Sequence, residues 1–508
     1  MARVPTPDSL VLPSQDDPVV RGASAFLGGP VGRRGDVRRA WWNPVRVLVL
    51  LAVLASGLGA AIDAPCITKS WSDGFEQFSR GCYSDMVHLY WGRGIAEGLI
   101  PYVEDPATTG DVEVEYPVLT GAVMWGVAQP ISDSWTDATR ARVYFSLNAI
   151  LIAFLLAVTV WATALTVRRR PWDAAMVALA PGMVLASTIN WDLWAVAATA
   201  VALLAWARRY PVLAGVLLGL GASFKFYPVL ILGPLLILCL RAGRLRAWAL
   251  TFGAALVVWL AANVPIMLAR FEGWSRFYTF SSERGADFGS PWLVVQNGLG
   301  IDLPVERLNL WATGIFFAMC LGIAALILFA PRRPRLHQVV FLTVAAFAVT
   351  NKVYSPQFVV WLIPLAVLAR PRWRDFLWWQ GAQVVYFYAV WWYIIWQAEP
   401  ARGLPEKYYW AAILLHTAAT VVYAGFVVRD VLQPECDPVR SSLAEDDPGG
   451  GVLDGADDHV WTGRGQKGRG GPPGGGGRQG RGGPTGGGGR PGRRGRHAAA
   501  TDPRLGAV

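Results

Sequence analysis

Residues 143–167 read VYFSLNAILIAFLLAVTVWATALTV, an almost uninterrupted apolar run. A helix needs about 20 predominantly apolar residues to cross the hydrocarbon core of a bilayer. Similar runs recur from Val45 to Val428, and the chain is 53% hydrophobic and only 16% charged. Soluble domains usually carry about 25% charged residues. The sequence therefore predicts an all-α polytopic membrane protein and excludes an ordinary soluble enzyme with one buried core.

The apolar segments predict about twelve transmembrane helices. The first, Val45–Ile62, follows a basic flank but comes too late in the chain for a signal peptide, so it is predicted to be an uncleaved helix. Later segments are predicted near 116–132, 143–167, 173–188, 191–207, 211–224, 227–241, 247–268, 308–330, 338–350, 357–369, 376–396 and 408–428. Prolines at both ends make 116–132 the weakest, so either it is re-entrant or a neighbouring segment is broken.

Arginine clusters set the predicted orientation, because Lys and Arg near the ends of spans mark the cytoplasmic side. The clusters lie at 168–170, 208–209, 241–246, 332–335 and 370–374. Both termini are then cytoplasmic, and the polar loop 63–115 and the connections near Asn190, Lys225 and Asn351 face outside. The expected location is the cell membrane, with the active site on the extracytoplasmic face.

Three regions are expected: a disordered cytoplasmic N-terminus (1–44), a transmembrane domain (45–428) and a disordered cytoplasmic tail (429–508). The tail is Gly/Arg-rich, a composition that cannot bury enough apolar surface to fold. Ten Lys or Arg against one Asp give the part from Arg464 to Arg504 a charge of +9, so the net charge of +10 does not describe the membrane domain. Contact with the lipid surface explains a basic tail more simply than nucleic acid does, and nucleic acid is not an expected partner.

Polar residues gather at the outside ends of short apolar helices, in Asn190-Trp191-Asp192, Lys225-Phe226-Tyr227-Pro228 and residues 351–357. Short helices draw their connecting turns toward the hydrocarbon, where polar groups need a water-filled cavity. An outward-facing polar pocket is therefore predicted. Ionisable residues at membrane depth are functional candidates.

The first external loop, 63–115, supplies acidic residues for this pocket. Its stretch 81–94 suits an amphipathic helix lying on the membrane surface, with Ser84 as N-cap. Asp85 and His88 would share one helical face. An acid in a first turn is also an ordinary partner of the helix dipole, so both roles stay open for Asp85. Cys66 and Cys82 either form a disulfide or remain free thiols.

The order of these features resembles the polyprenol-phosphate-sugar-dependent glycosyltransferases of the GT-C superfamily, over roughly residues 45–428. The residues that carry the resemblance are Ser84-Asp85, Tyr90, Gly98, Pro101-Tyr102, Glu115-Tyr116-Pro117, Asn190-Trp191-Asp192, Lys225-Phe226-Tyr227-Pro228 and Asn351-Lys352 through Gln357. The chain is most similar to glycosyltransferase family 87, whose members include actinobacterial mannosyl- and arabinofuranosyltransferases. The resemblance implies a GT-C-like bundle with a catalytic aspartate in the first extracytoplasmic loop, and Asp85 occupies that position.

The implied chemistry assigns roles to the candidate residues. A carboxylate can deprotonate an acceptor hydroxyl, and cations can stabilise a departing phosphate. Asp85 is the expected base, with His88 as a possible orienting partner. The other candidates are Lys225 and Lys352 as phosphate clamps, Tyr227, Tyr354 and Gln357 as hydrogen-bonding pocket residues, and Glu115, Tyr116 and Asp192 as supporting residues. Snorkelling to the membrane interface explains either lysine about as well. Solvation explains Arg284 and its charged neighbours in the 269–307 loop better than substrate contact does.

The sequence thus predicts an integral-membrane glycosyltransferase that moves mannose or arabinofuranose from a polyprenyl phosphate to a glycolipid or cell-envelope glycan. No cofactor is expected. Ser84 precedes Asp85 where some GT-C enzymes have a second acid, so no metal site is assigned and a role for a divalent metal stays open. The alternative function is a transporter or flippase of lipid-linked sugars, which would use the same pocket without a catalytic carboxylate.

Overall fold

A computed structural model describes residues 17–26, 43–72, 74–442 and 445–458, and every regular element in these residues is helical. The longer helices are Pro44–Lys69, Val118–Ala128, Asp137–Thr166, Asp192–Ala207, Pro211–Phe224, Leu232–Arg241, Leu245–Ala269, Phe271–Glu283, Val305–Phe329, Leu336–Thr350, Val359–Ala369, Trp373–Ala398 and Glu406–Leu432. Shorter helical segments are Pro18–Phe26, Glu76–Ser79, Asp85–Gly92, Pro106–Thr109, Pro171–Ala174, Ala175–Ala178, Pro181–Ala186, Tyr227–Ile231, Pro291–Leu293, Val294–Gly298, Pro356–Phe358, Pro434–Cys436 and Gly451–Leu453. The all-α class predicted from the sequence is confirmed.

Within the described ranges, 5 helices are long and apolar enough to cross a membrane. They are Pro44–Lys69, Asp137–Thr166, Leu245–Ala269, Val305–Phe329 and Glu406–Leu432. Shorter apolar helices accompany them, as the short apolar runs of the sequence predict. Together these helices are consistent with a polytopic membrane protein.

The helices run between two faces, which we call the arginine face and the pocket face. The arginine face carries Arg170, Arg241, Arg335 and Arg370, at or next to helix ends. The pocket face is the opposite one, where the first polar loop meets the connections near 190, 225 and 351. The arginines and the polar connections thus lie at opposite ends of the helices, as the arginine clusters of the sequence predict.

Helix Val118–Ala128 does not cross between the faces. At 1.5 Å per residue its length is about 16 Å, roughly half of a hydrocarbon core. It stays at the pocket face, where the Thr120 hydroxyl donates to the Phe224 carbonyl at 2.7 Å and the Trp125 indole donates to the Gly98 carbonyl at 3.4 Å. The re-entrant interpretation of segment 116–132 is therefore the one that the structure supports.

Segment 173–188 differs from the single helix predicted there. It is broken into Pro171–Ala174, Ala175–Ala178 and Pro181–Ala186. Pro181 has no backbone N–H and interrupts the helix. The next backbone N–H, that of Gly182, donates to Gln380 Oε1 at 2.9 Å. A contact with a distant helix therefore satisfies one backbone N–H that the break leaves without a helical partner.

The predicted disordered tail begins too early at residue 429. Helix Glu406–Leu432 continues past this point, and residues 434–442 and 445–458 pack on the arginine face. Arg335 Nε lies 2.7 Å from Asp437 Oδ2, and neither side chain is exposed. Arg333 and Arg241 pair with Asp458. Ion pairs with arginines of the loops thus order a segment that is poor in apolar residues. The Gly/Arg repeats and most of the N-terminal region lie outside the described residues.

The N-terminal part of the first polar loop is fixed to the first long helix. Cys66, in the last turns of the first long helix, forms a disulfide with Cys82. The Trp71 indole donates to the Cys82 carbonyl at 3.1 Å. Of the two states that the sequence left open for these cysteines, the structure contains the disulfide. The chain therefore enters the helix Asp85–Gly92 from a fixed point.

Candidate active site

A pocket of about 920 Å³ lies at the pocket face. Ligand sites for small molecules are usually about 300–1,000 Å³. Its wall includes these residues predicted from the sequence: Asp85, Glu115, Tyr116, Lys225, Tyr227, Lys352 and Gln357. The structure thus brings together residues that lie more than two hundred positions apart in the chain. His88, Asp192 and Tyr354 are not part of the wall.

The backbone around Asp85 is held by the broken segment that precedes Asn190. The Asp85 N–H donates to the Ile189 carbonyl at 2.8 Å, and the Ser84 hydroxyl donates to the Thr188 carbonyl at 2.7 Å. Ser84 Oγ also accepts from the Met86 N–H at 3.3 Å, which confirms it as the N-cap. The position of Asp85 at the start of its helix is therefore fixed by residues 188–189 on one side and by the Cys66–Cys82 disulfide on the other.

The Asp85 carboxylate faces a tyrosine rather than a histidine. The Tyr116 hydroxyl donates to Asp85 Oδ2 at 3.2 Å, and Tyr83 is a second hydrogen-bond partner. Removal from bulk water raises the pKa of Asp85 to about 6, although Tyr83, Lys225 and Tyr116 act in the opposite direction. The ordinary value is about 3.9. Near neutral pH this group is mainly ionised yet more basic than an ordinary aspartate, as a general base should be.

His88 is not in the orienting position that the sequence suggested. Its Nε2 lies 2.8 Å from Gln77 Oε1, and its ring stacks on Tyr83 at 5.1 Å between centroids. A three-residue spacing places His88 and Asp85 on neighbouring parts of one helix, but their side chains take different partners. Tyr83 and Tyr116 hold the carboxylate instead.

Lys225 supplies a positive charge beside this carboxylate. Its Nζ lies 2.8 Å from Asp192 Oδ1 and 4.5 Å from the centroid of the Tyr116 ring. Asp192 is only 2% exposed, and its Oδ2 accepts from the Trp361 indole at 2.8 Å. Lys225 therefore lies in the pocket wall and does not snorkel toward the membrane interface. Asp192 pairs with this lysine, and its supporting role stays a prediction.

Arg93 and Glu115 form a two-bonded ion pair in the same wall. Arg93 Nε and Nη2 each donate to a Glu115 carboxylate oxygen at 2.7 Å. Glu115 was a predicted supporting residue, whereas Arg93 was not singled out. The only sequence signal for Arg93 was its place at the end of the stretch 81–94.

Lys352 lies in the pocket wall, but its ammonium group binds carbonyls at the C-terminal end of the helix Phe271–Glu283. Its Nζ donates to the carbonyls of Ser281 at 2.9 Å and Arg284 at 2.7 Å, with Ser282 at 3.4 Å. These carbonyls lie at the C-terminal end of that helix, where backbone acceptors lack helical partners. The three ammonium donors are therefore already engaged, which leaves the predicted phosphate clamp without a free donor in this arrangement.

Arg284 lines the pocket, although the sequence interpretation favoured solvent over substrate contact for it. Its guanidinium Nε lies 2.6 Å from Asp287 Oδ2, and its side chain is 35% exposed. The sequence favoured a solvated loop here, but residues 271–283 form a helix whose far end joins the pocket wall. Alternating aromatic and polar residues in 271–283 were the available signal.

The remaining polar candidates divide between the wall and the protein interior. Gln357 lines the pocket. Tyr227 also lines it, but its ring is 1% exposed and stacks on Trp361 at 4.9 Å. Tyr354 is placed elsewhere, because its hydroxyl lies 3.0 Å from Thr420 Oγ1 in a buried cluster.

The described residues contain no group of three or more His, Cys, Asp or Glu side chains that is arranged to hold a metal ion. The carboxylates of the pocket are instead engaged with tyrosine, lysine and arginine side chains. The cofactor expectation stays a prediction.

Residues 116–351 match the model of glycosyltransferase family 87. The match confirms the family resemblance and is consistent with a GT-C superfamily glycosyltransferase. The family 87 region supports a membrane-embedded glycosyltransferase and contains Tyr116, Asp192 and Lys225. It begins after Asp85, so it does not bear on the base. No curated protein matches the chain.

Proposed function

We propose that this protein moves mannose or arabinofuranose from a polyprenyl phosphate to a glycolipid or cell-envelope glycan, with Asp85 as general base. The observation that carries the proposal is the grouping around Tyr116. Its hydroxyl donates to Asp85, and its ring faces the Lys225 ammonium. A proton acceptor and a fixed cation therefore lie on two sides of one side chain in one pocket.

The proposed reaction uses these two groups in a single displacement. Asp85 takes the proton of an acceptor hydroxyl as that oxygen attacks the anomeric carbon of the donor sugar. The bond between the anomeric carbon and the phosphate oxygen breaks, and polyprenyl phosphate leaves with the bonding electrons. Lys225 stabilises the negative charge on the leaving phosphate. Arg284, in the same wall, is the second cation that we assign to this task.

We place the pocket face outside the cell membrane and both termini in the cytoplasm. The arginine-rich loops support this orientation through the positive-inside rule. The Cys66–Cys82 disulfide supports it as well, because disulfides persist mainly in oxidising compartments. Ser134 is exposed in the connection before the helix Asp137–Thr166, and Ser441 is exposed in the segment on the arginine face. In a cysteine-free background, Ser134→Cys should react with a membrane-impermeant thiol reagent in intact cells, whereas Ser441→Cys should react only after lysis. Labelling in the reverse order would contradict the orientation.

Product analysis with labelled donors tests the function. Membranes that contain the protein are incubated with labelled polyprenyl-phosphate mannose and, separately, arabinofuranose, and lipids and glycans are then analysed. We expect one label to appear in a new glycosidic product, while a labelled nucleotide sugar gives none directly. Label that crosses the membrane on an unchanged lipid donor would instead identify a transporter or flippase.

A further inference from the structure

Three aromatic side chains, Phe78, Tyr83 and Trp391, form one group in the pocket wall, which we call the aromatic platform. The centroids of Tyr83 and Trp391 are 4.9 Å apart, and those of Phe78 and Trp391 are 6.0 Å apart. The proposed reaction uses none of these rings directly. The first two come from the first polar loop, and Trp391 comes from the helix Trp373–Ala398.

The chain holds the two halves of the platform together at a close approach. Gly81 has a φ of +69°, and a Cβ there would lie 3.1 Å from ring carbons of both Phe387 and Tyr388. A side chain at position 81 would therefore push the loop away from the helix that carries Trp391. The next residue, Cys82, is tied to the first long helix by the disulfide. The platform is thus a fixed surface rather than a chance contact.

Trp391 also has an unused hydrogen-bond donor. The side chain is only 5% exposed, and its Nε1 is buried without an acceptor among the described residues. Buried indole N–H groups normally find a partner. Because this atom is closed off from the pocket, Trp391 lines the wall with part of a fixed ring and not with its donor.

The neighbouring Trp392 shows that an interfacial aromatic belt does not account for the position of Trp391. Trp and Tyr gather at membrane interfaces for reasons unrelated to ligands. Trp392 is 39% exposed and is not part of the pocket wall, as expected for a belt residue. Its neighbour Trp391 is turned to the interior and lines the pocket. The two consecutive tryptophans thus occupy different environments.

We propose that the aromatic platform binds the acceptor saccharide, an inference that rests on the proposed function. The C–H face of a sugar ring packs against the half-buried rings of Phe78 and Tyr83, which Trp391 holds in place from behind. A hydroxyl of the same sugar reaches Asp85 in the adjoining wall. The acceptor is therefore a glycan or a glycosylated lipid, and an alcohol without a sugar ring is a poor substrate.

The contacts of Asp85 assign the platform to the acceptor rather than to the donor. Asp85 must touch the acceptor hydroxyl, and its hydrogen-bond partner Tyr83 belongs to the platform. Its other partner, Tyr116, carries Lys225 on its ring, and this is where the donor phosphate binds in the proposed reaction. The carboxylate thus lies between the aromatic platform and a cation.

Ligand-observed NMR tests the subsite without requiring catalysis. Saturation transfer from the full-length protein is measured to methyl mannobioside and methyl arabinofuranoside, with glycerol as the polyol without a ring. We expect one of the glycosides to bind to the wild type and to the control Trp392→Leu, with signals reduced severalfold in Trp391→Leu and partly restored in Trp391→Phe. Equal signals in Trp391→Leu and the wild type, at equal thermal stability, would overturn the subsite.

Kinetics with both substrates varied identifies which one the platform binds. Trp391→Leu should raise the KM for the acceptor roughly tenfold and leave the KM for the polyprenyl-phosphate donor unchanged. A rise in the donor KM alone would assign the platform to the isoprenoid chain and overturn the proposal. Saccharide binding that depends on Trp391 in a protein without transfer activity would keep the subsite and contradict the proposed transferase.

Discussion

At the scale of single residues, Tyr116 organises the site. Asp85 and Lys225 could each be predicted from the sequence, because ionisable residues at the ends of short apolar helices need a polar pocket. Their connection through one tyrosine could not, since it depends on side-chain direction. The same limit explains why His88 faces Gln77 and why Lys352 is used up at a helix end. Residue types were predictable, whereas their partners were not.

The raised pKa of Asp85 predicts how transfer depends on pH. The general base must be ionised, so kcat/KM should be constant above about pH 6 and should fall tenfold for each pH unit below it. Initial rates between pH 4.5 and 8, at fixed low substrate concentration, measure this profile. A profile that is flat from pH 7 to pH 5, in protein that stays folded, would contradict the assignment of Asp85 as the base.

Lys225 and Asp192 predict a separation of stability from activity. Lys225→Gln leaves the Asp192 carboxylate buried without its counter-charge, which typically costs about 3–5 kcal/mol. Adding Asp192→Asn should restore the melting temperature, but transfer should remain about a hundredfold lower because the cation is still missing. The exposed Lys407→Gln is the matched control. If the double variant regains full activity, Lys225 has only a structural role.

At the scale of elements, the length of the apolar runs predicted the long helices. It did not predict the break at Pro181 or the helix Phe271–Glu283. Apolar runs gave the spans of Asp137–Thr166 and Leu245–Ala269 to within several residues. The break at Pro181 was not predicted. It depends on a contact between distant parts of the chain, in which the Gly182 N–H donates to Gln380 Oε1. The helix Phe271–Glu283 was missed as well, since half of its surface is polar and it lies in a connection.

The disulfide predicts that the stability of the first polar loop depends on the oxidised state of Cys66 and Cys82. Replacing both Cys66 and Cys82 by serine releases a loop with a sequence separation of 16, for which chain entropy gives about 3 kcal/mol. We expect a lower melting temperature and reduced transfer, since Asp85 follows Cys82 closely in the chain. Cys320→Ser serves as control. A reductant that leaves the melting temperature of the wild type unchanged would contradict this role.

At the scale of the whole molecule, the segment 434–458 joins the helices on the arginine face. Its carboxylates pair with arginines from several loops, among them Arg241, Arg333 and Arg335. The composition of the tail suggested disorder. The order of this segment could not be predicted, because ion pairs with residues more than a hundred positions away leave no local sequence pattern. The positive clusters therefore have a second use besides setting orientation.

Truncations should locate the boundary of the folded region. Removing residues after Asp458 should leave the melting temperature unchanged, whereas removing residues after Leu432 should lower it and the yield, because Arg335 then lies buried without Asp437. Asp437→Asn should reproduce part of the loss, and the exposed Asp457→Asn should not. Equal stability of the two truncations would show that segment 434–458 contributes nothing.

The most direct test of the account is sugar transfer by Asp85→Asn with labelled polyprenyl-phosphate donor. Asparagine keeps the size of the side chain but cannot take the acceptor proton. We predict that transfer falls at least a hundredfold, while donor binding and melting temperature stay near wild type and the exposed control Asp302→Asn remains fully active. Full transfer by Asp85→Asn would contradict the central claim that this carboxylate is the general base.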